Sequence, residues 1–528
     1  MTDDNTQPPS AGLANPRRRR HLLLLALILL YSVGFRLLVL DRPFRYDREA
    51  WGCFYGILAR NYLQFDWTET HGMPILTVGR IPGAPLVFYR HHPPLVALLI
   101  VPIYTFFGVG EWQTRLPTAF ATAASVLVMY LLLNRFTTRR IALIAAALFA
   151  ATPMILYYGG LPEVVGTQLI LLILLSLMAY LHFLRKPNPQ TFVLWLGAFS
   201  LAGLMDWPAF ILIPVLLIHF LVTQPRRNWP WIFAFCFAAS ALFAMLYTYI
   251  ALATNAPWDW MANLLRNRTA IGGTSPFTLA QWLTTALESN LARHTGPILL
   301  LAFGWLIIYG WRCHRHQLGA TVARLLLAWG ILHVLVGRQG VYIHEWWWSP
   351  LTPGLVIAAA LLLDALLRRL ERSALRRAAN PTAACLILLF ALWTARGSFI
   401  ELGASQSPFN TIELGQAIQA AAPHPNDIAM LVHGGAEPQL WFYGDRPLRL
   451  DVLSIADFQR RLQDDQVDLA YYFEQPWKAV PTGIVFPVDR RYEQADLLAY
   501  LQQHYAQVRL ASSLVNKFYV FDLRQSAR

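Results

Sequence analysis

The sequence predicts a polytopic α-helical membrane protein of about eleven transmembrane helices, with in-plane helices in its first outer loop and a small C-terminal α/β domain. Three observations carry that prediction. Of 528 residues, 56% are hydrophobic and only 14% are charged, where an average soluble domain is about a quarter charged. Arginines gather at alternate ends of long apolar runs, the asymmetry that marks the cytoplasmic side of membrane proteins. Beyond residue 396 the apolar stretches shrink to strand length and alternate with amphipathic helical patterns.

The net charge of +13 and pI near 9.7 would suit a nucleic-acid binder, which shows a basic patch. Here the arginines flank apolar runs instead, so the lipid bilayer is the expected partner and nucleic acid is not. The four cysteines (Cys53, Cys236, Cys313, Cys385) are scattered and show no metal spacing, so neither a disulfide framework nor a zinc site is indicated.

In chain order, residues 1–20 are a polar tail that ends in Arg17 to Arg20 and read as a disordered cytoplasmic segment. Residues 21–40 follow as an uncleaved anchor, long enough to cross about 30 Å of hydrocarbon. Asp41-Arg42-Pro43 follows in place of a small-residue cleavage site. The loop from 41 to 94 therefore lies outside. In it Trp51, Tyr55, Leu58 and Tyr62 recur at helical spacing and predict a helix in the membrane interface. Residues 95–107 are apolar but short, and predict a second in-plane helix. Ten further spans are expected over 116–134, 141–157, 164–184, 191–205, 208–222, 229–252, 293–311, 321–336, a segment ending at 367, and 381–394. The fifth and sixth spans of the chain are short and hinge at Asp206-Trp207-Pro208, read as mainly structural, with substrate contact as the lesser alternative. A second long outer loop covers 253–292. The membrane domain thus runs from 21 to 396. An extracytoplasmic α/β domain fills 397–528, with apolar stretches at 428–432, 469–473, 483–487 and 518–523 and helices at 412–421, 456–462 and 494–505. It contains no glycine-rich phosphate loop, so no nucleotide is assigned to it.

The outer loops hold the polar residues able to do chemistry. Asp47 and Glu49 stand next to the interfacial helix, where a carboxylate can take a proton from an attacking hydroxyl; otherwise they are hydrated loop charges. Glu163 follows Gly159-Gly160. It is either a helix-start acid favoured by the macrodipole or a second acid able to orient an acceptor or help hold a divalent cation. In Arg90-His91-His92-Pro93-Pro94 the adjacent histidines point apart on an extended segment. They suit hydrogen bonding to a phosphate better than a shared metal, and the prolines fix a stiff turn. Arg266, Arg268 and Arg338 break the inside bias, and a guanidinium there can clamp a phosphate bidentately or meet lipid headgroups. Tryptophans 346 to 348 are ordinary belt residues, whereas His344 and Glu345 beside them are less expected.

Asp47 with Ala59-Arg60-Asn61-Tyr62, His92-Pro93-Pro94-Leu95, the run from Phe107-Gly108 through Glu111-Trp112 to Arg115-Leu116-Pro117, and His344-Glu345-Trp346-Trp347 occur in an order that resembles the GT-C glycosyltransferases of family 39. That group includes protein O-mannosyltransferases and the aminoarabinose transferases of lipid A. The resemblance covers roughly residues 20–370. It implies inverting transfer of a sugar from a polyprenyl-phosphate donor to a glycolipid, glycan or protein, outside the cytoplasm. It also puts the presumed base on Asp47. Arg48 separates the two acids that the eukaryotic enzymes hold adjacent, and His91-His92-Pro93 stands where the lipid A enzymes have Glu-Lys-Pro, so the resemblance names no substrate. The expected function is a membrane glycosyltransferase of the plasma (bacterial inner) membrane. The expected site is Asp47, Glu163 and Glu49, with Arg90, His91, His92, Arg266, Arg268, Arg338, His344 and Glu345 binding substrate. The alternatives are a transporter or flippase of a lipid-linked sugar, which would carry ionisable groups at mid-membrane, and a scaffold that presents the C-terminal domain.

Overall fold

A computed structural model describes residues 16–44, 49–79, 85–163, 165–269, 277–310, 318–373, 377–403, 411–432, 438–450, 452–463, 483–487, 494–508 and 518–526. Asp47 and the apolar stretch at 469–473 lie outside the described residues.

The chain opens with α1 (Pro16–Val39), then α2 (Ala50–Gln64), a single turn α3 (Trp67–Thr70), and the short pair α4 (Leu95–Leu98) and α5 (Val101–Phe107). Gly108 ends α5 at φ 77, a left-handed conformation open to glycine without a steric penalty. There follow α6 (Glu111–Phe136), α7 (Arg139–Ala151), α8 (Pro153–Tyr158), α9 (Thr167–Arg185), α10 (Pro189–Met205), α11 (Leu212–Thr223) and α12 (Trp229–Ala253). The second outer loop holds α13 (Trp260–Thr269) and α14 (Leu279–Arg293). Then come α15 (Gly296–Trp305), α16 (Leu318–Val336), α17 (Arg338–Ile343), α18 (Thr352–Glu371) and α19 (Ala379–Gly403).

Among the described residues seven helices are long and apolar enough to cross a membrane, or eight if α14 and α15 count as one broken span. The protein is a multi-pass membrane protein. The other expected spans are present as shorter pieces. The third is split into α7 and α8 at Thr152-Pro153, because proline cannot continue the hydrogen-bond ladder. The hinge pair is α10 and α11, joined by a 3₁₀ turn over Trp207–Ile211. The bend between α14 and α15 is 107°. It is made at Thr295, whose φ of 69 is strained for a β-branched residue.

The arginine ends meet as the sequence predicts. Arg140 of α7 reaches Asp364 of α18 at 2.6 Å and also pairs with Glu371. Arg20 and His21 of α1 line one crevice with that same Arg140.

The first loop differs from expectation. The α2 helix is enclosed by protein instead of lying in lipid, with Ala50, every residue from Gly52 to Tyr62 and Phe65 buried. The cause is α21 (Pro438–Gly444) of the C-terminal domain, which covers its outer side while α4, α5 and α6 cover the rest. Arg60 donates to the carbonyls of Trp441 and Phe442, both at 3.1 Å, and pairs with Asp445 at 3.0 Å. Tyr443 accepts from the backbone N–H of Phe44 and donates to Glu111.

The C-terminal domain is α/β as expected. Its helices are α20 (Thr411–Ala421), α21, α22 (Ile455–Gln463) and α23 (Ala495–His504). Its strands are β1 (Ala429–Leu431), β2 (Leu448–Arg449), β3 (Gly483–Pro487), β4 (Tyr505–Val508) and β5 (Phe518–Ser526). They form one sheet in the order β2-β1-β3-β5-β4, parallel through β2, β1 and β3 and antiparallel beyond. Leu431, Val485 and Val520 join the main apolar core with α20 and α21, whereas Met430, Ile484 and Phe521 form a second core under α22 and α23. One sheet face therefore continues the core of the membrane domain.

Candidate active site

One end of the bundle brings four distant segments together. From the first loop come Tyr89, His91 and His92. The hinge after α10 gives Asp206, the end of α13 gives Arg268, and the turn after α17 gives His344. His92 meets Asp206 through Nδ1, 2.7 Å from Oδ1, and Trp207 holds the loop by donating from Nε1 to the His91 carbonyl at 2.9 Å. Arg268 lies over the Trp347 ring at 5.3 Å. It also sits close enough to His91 and His344 to repel their charged forms. Burial first, then His92, Arg268 and Arg90, lower His91 from 6.5 to about 4. Burial, Arg268 and His92 lower His344 to about 3. Both rings are therefore neutral at pH 7 and can each give or take a hydrogen bond. The result is a site with a guanidinium, three imidazoles and aromatic walls, which suits an anion.

Aromatic rings join the segments. Tyr89 stacks near His92 at 6.1 Å and touches Phe54 at 4.9 Å; Phe54 meets Trp51 at 5.0 Å, and Trp51 meets Trp346 at 5.3 Å. His344 stacks on Trp346 at 4.5 Å. Trp51, His344 and Trp346 also wall a cavity of about 590 Å³, whose other lining includes Tyr158, Glu288, Ser289 and Glu345. Aromatic faces with carboxylates and hydroxyls around a cavity of this size suit a sugar-sized polar ligand.

The acids occupy three settings. Glu163 is fully buried and, among the described residues, neither carboxylate oxygen has a hydrogen-bond partner, so burial pushes its carboxyl well above the usual range. Tyr55 of α2 lies within electrostatic reach of Glu163, Asp206 and Tyr89, and is itself raised, by burial first. Tyr55 thus lies where the two halves of the site meet. Glu49 starts α2 and is buried against Arg115 at 3.2 Å. Glu345 accepts from Tyr158 at 2.9 Å and pairs with Arg293 at 2.8 Å. Arg293, at the end of α14, also grips Glu401 of α19 with both terminal nitrogens, at 2.8 and 2.6 Å.

The expected cations separate. Arg266 lies two residues from Arg268 on one helix and so faces another side; it is exposed and donates to Asn263 at 3.0 Å. Arg338 donates to the Thr269 carbonyl at 2.9 and 3.2 Å, which ties α17 to the end of α13. Arg90 is half-buried and charged close to His91. Among the described residues no three His, Cys, Asp or Glu side chains group closely enough to hold a metal ion.

Sequence reading missed Tyr55 and Arg293, and gave Asp206 mainly a structural role. Asp206 lies 114 residues from His92, and nothing in its tight-turn setting announced the partner.

Residues 91–258 match the family model of the dolichyl-phosphate-mannose-protein mannosyltransferases, a segment that begins at the paired histidines and includes Glu163 and Asp206. Nothing matches among curated protein sequences. Among solved structures the chain is similar to ArnT of Cupriavidus metallidurans bound to undecaprenyl phosphate, with 16% identity, 95% of this chain and 97% of that one covered, and a TM-score of 0.63. It is also similar to the Archaeoglobus fulgidus oligosaccharyltransferase in its apo form, with 12% identity, 92% and 73% covered, and a TM-score of 0.56. The oligosaccharyltransferase AglB of the same organism, in complex with an inhibitory peptide and a dolichol-phosphate, gives 13% identity, 95% and 74% covered, and 0.55. The fold is the one these ArnT and oligosaccharyltransferase structures share.

Proposed function

We propose that this GT-C-fold membrane protein is a glycosyltransferase that moves a hexose or pentose from a polyprenyl-phosphate donor to a glycolipid, glycan or protein outside the cytoplasm, with inversion. One observation carries the reading: Arg268, His91, His92 and His344 converge beside an aromatic, carboxylate-lined cavity at the outer end of a lipid-embedded bundle. That neighbours of this fold are seen with undecaprenyl phosphate and with dolichol-phosphate supports it, as does the mannosyltransferase family model.

In this reading the donor's tail lies between spans and its phosphate rests against Arg268 and His92. There a guanidinium gives a bidentate, charge-assisted contact, and preformed donors stabilise the charge that develops on departure. The sugar fills the cavity against Trp51 and Trp346. Asp47 takes the proton of the attacking acceptor hydroxyl, and Glu49, held by Arg115, fixes the start of α2 two residues away. Burial holds Glu163 toward its neutral form, and it orients the acceptor by donating a hydrogen bond. The arginine bias supports a cytoplasmic N-terminus and an outer C-terminal domain, in the plasma (bacterial inner) membrane, with family 39 as the expected class.

The test is binding of undecaprenyl phosphate to the protein in nanodiscs. Arg268→Met should weaken it about 10- to 100-fold, the loss of one charge-assisted bidentate contact. Equal affinity of wild type and variant would remove the basis for the reading.

A further inference from the structure

The pair His92 and Asp206 holds more than a phosphate ligand requires. Asp206 is fully buried. Its Oδ1 accepts from the Trp207 backbone N–H at 2.8 Å and from His92 Nδ1 at 2.7 Å, while Oδ2 is buried with no partner among the described residues. Among the described residues His92 is its one ion-pair partner. The groups facing the pair are Tyr55 from α2, Tyr89, Arg90 and His91 from the first loop, His333 from α16, and Arg268 and His344 from the second outer loop and the turn after α17. A carboxylate in that setting is tolerated when a hydrogen-bonded cation accompanies it. The bond through Nδ1 leaves Nε2 on the opposite edge of the ring without a protein partner among the described residues. The loop that carries the ring is itself held, by Trp207 at the His91 carbonyl.

We propose that His92 and Asp206 form a proton-donating dyad for the departing phosphate. Asp206 orients the ring through Nδ1, and Nε2–H gives its proton to the phosphate oxygen as the sugar leaves. This rests on the glycosyl-transfer reading. The bond from the anomeric carbon to the acceptor oxygen forms as the bond from that carbon to the phosphate oxygen breaks. The electron pair of the broken bond stays with the phosphate oxygen, which takes the Nε2 proton. The acceptor's hydroxyl proton goes to the general base. The imidazole is left neutral, still hydrogen-bonded to Asp206, and regains a proton from water after the lipid departs. His92 touches the reacting atoms and is catalytic; Asp206 acts through it and is a positioning residue. A lysine at 92 would supply charge but would not give up its proton near neutral pH.

The experiment measures undecaprenyl phosphate affinity in nanodiscs from pH 5.5 to 8.5 for wild type, His92→Lys, Asp206→Asn and Asp206→Glu. The lipid's own ionisation is common to all four, so differences in slope belong to the protein. Wild-type affinity should fall more steeply with rising pH than that of His92→Lys, by up to about tenfold per pH unit for one bound proton. Asp206→Asn should shift or flatten that slope, and Asp206→Glu should restore it in part. If His92→Lys does not yield folded protein, His92→Gln takes its place and must lose the slope. Parallel slopes in wild type and in the His92 and Asp206 variants would overturn the dyad and leave the function standing. A wild type that fails to bind at every pH would overturn the functional reading and the dyad with it. The same slope with phosphatidic acid vesicles would show a response to any lipid phosphate and would also overturn the dyad.

Discussion

Glu163→Gln separates a buried neutral carboxyl from a surface charge. Glu163 has no exposure and, among the described residues, no hydrogen-bond partner at either oxygen, so ionising it inside the protein costs more than ionising it in the unfolded chain, and its folded value is raised. The sign follows from that. Below the unfolded value, about 4.3, both states hold the proton and the stability is fully present. As pH rises from there, the unfolded chain releases its proton while the folded protein keeps it. Stability is then lost at about 1.4 kcal/mol per pH unit until the folded value is reached. Glutamine has nearly the same shape and does not titrate. The stability difference, variant minus wild type, should therefore grow as pH rises above 5, by up to about 1.4 kcal/mol per pH unit. Equilibrium unfolding in mixed micelles at stepped pH reads this directly. Stability curves for the two proteins that run parallel from pH 5 to 8 would refute the reasoning, because the carboxyl would then be satisfied in the folded state. Turnover by the same variant should fall far less than that of Asp47→Asn, since an amide still donates a hydrogen bond.

The other predictions concern the frame around the site. Arg293→Met removes a buried cation held by Glu401 and Glu345 and should destabilise by about 2–4 kcal/mol. Its cycle with Glu401→Gln should show coupling of about 1 kcal/mol or more, reduced because Glu401 is 39% exposed; additive effects would remove the pair from the account. Arg60→Ala breaks the contacts to Trp441, Phe442 and Asp445 and should cost about 2–4 kcal/mol. It should also speed limited proteolysis around α21, and an unchanged cleavage rate would show that the C-terminal domain is held elsewhere. Thr295→Gly relieves a positive φ and should be neutral or stabilising by up to about 1 kcal/mol, checked by thermal unfolding; a clear loss of stability would mean the side chain outweighs the strain.

Much of the frame was legible because it depends on local composition. Arginines at the ends of apolar runs located the crossing segments, and α6, α9, α12, α16 and α19 lie where the hydropathy put them. The strands at β1, β3 and β5 and the helices α20, α22 and α23 showed their own periodicities. The burial of α2 did not, because its cover, α21, comes nearly 400 residues later and is only seven residues long. Arg60 reads as the polar side of an interfacial helix until Trp441 and Phe442 are placed against it. At the site, His92, Arg268 and His344 stood out as polar residues on the outer face. Asp206 read as a hinge because a turn explains an aspartate fully well from sequence, and only the fold brings it to His92. The separation of Arg266 from Arg268 likewise depends on which face of α13 turns inward.

The measurement that bears most directly on the central claim is sugar transfer itself. Wild type and Asp47→Asn, in proteoliposomes made with polyprenyl-phosphate sugars extracted from cell envelopes, are followed by mass spectrometry of the released polyprenyl phosphate. The account predicts release by wild type in the presence of extracted envelope acceptors, and a fall of at least about 100-fold in the variant, the usual contribution of a general base. Intact donor after incubation with folded, lipid-binding wild type, or equal release by both proteins, would contradict it.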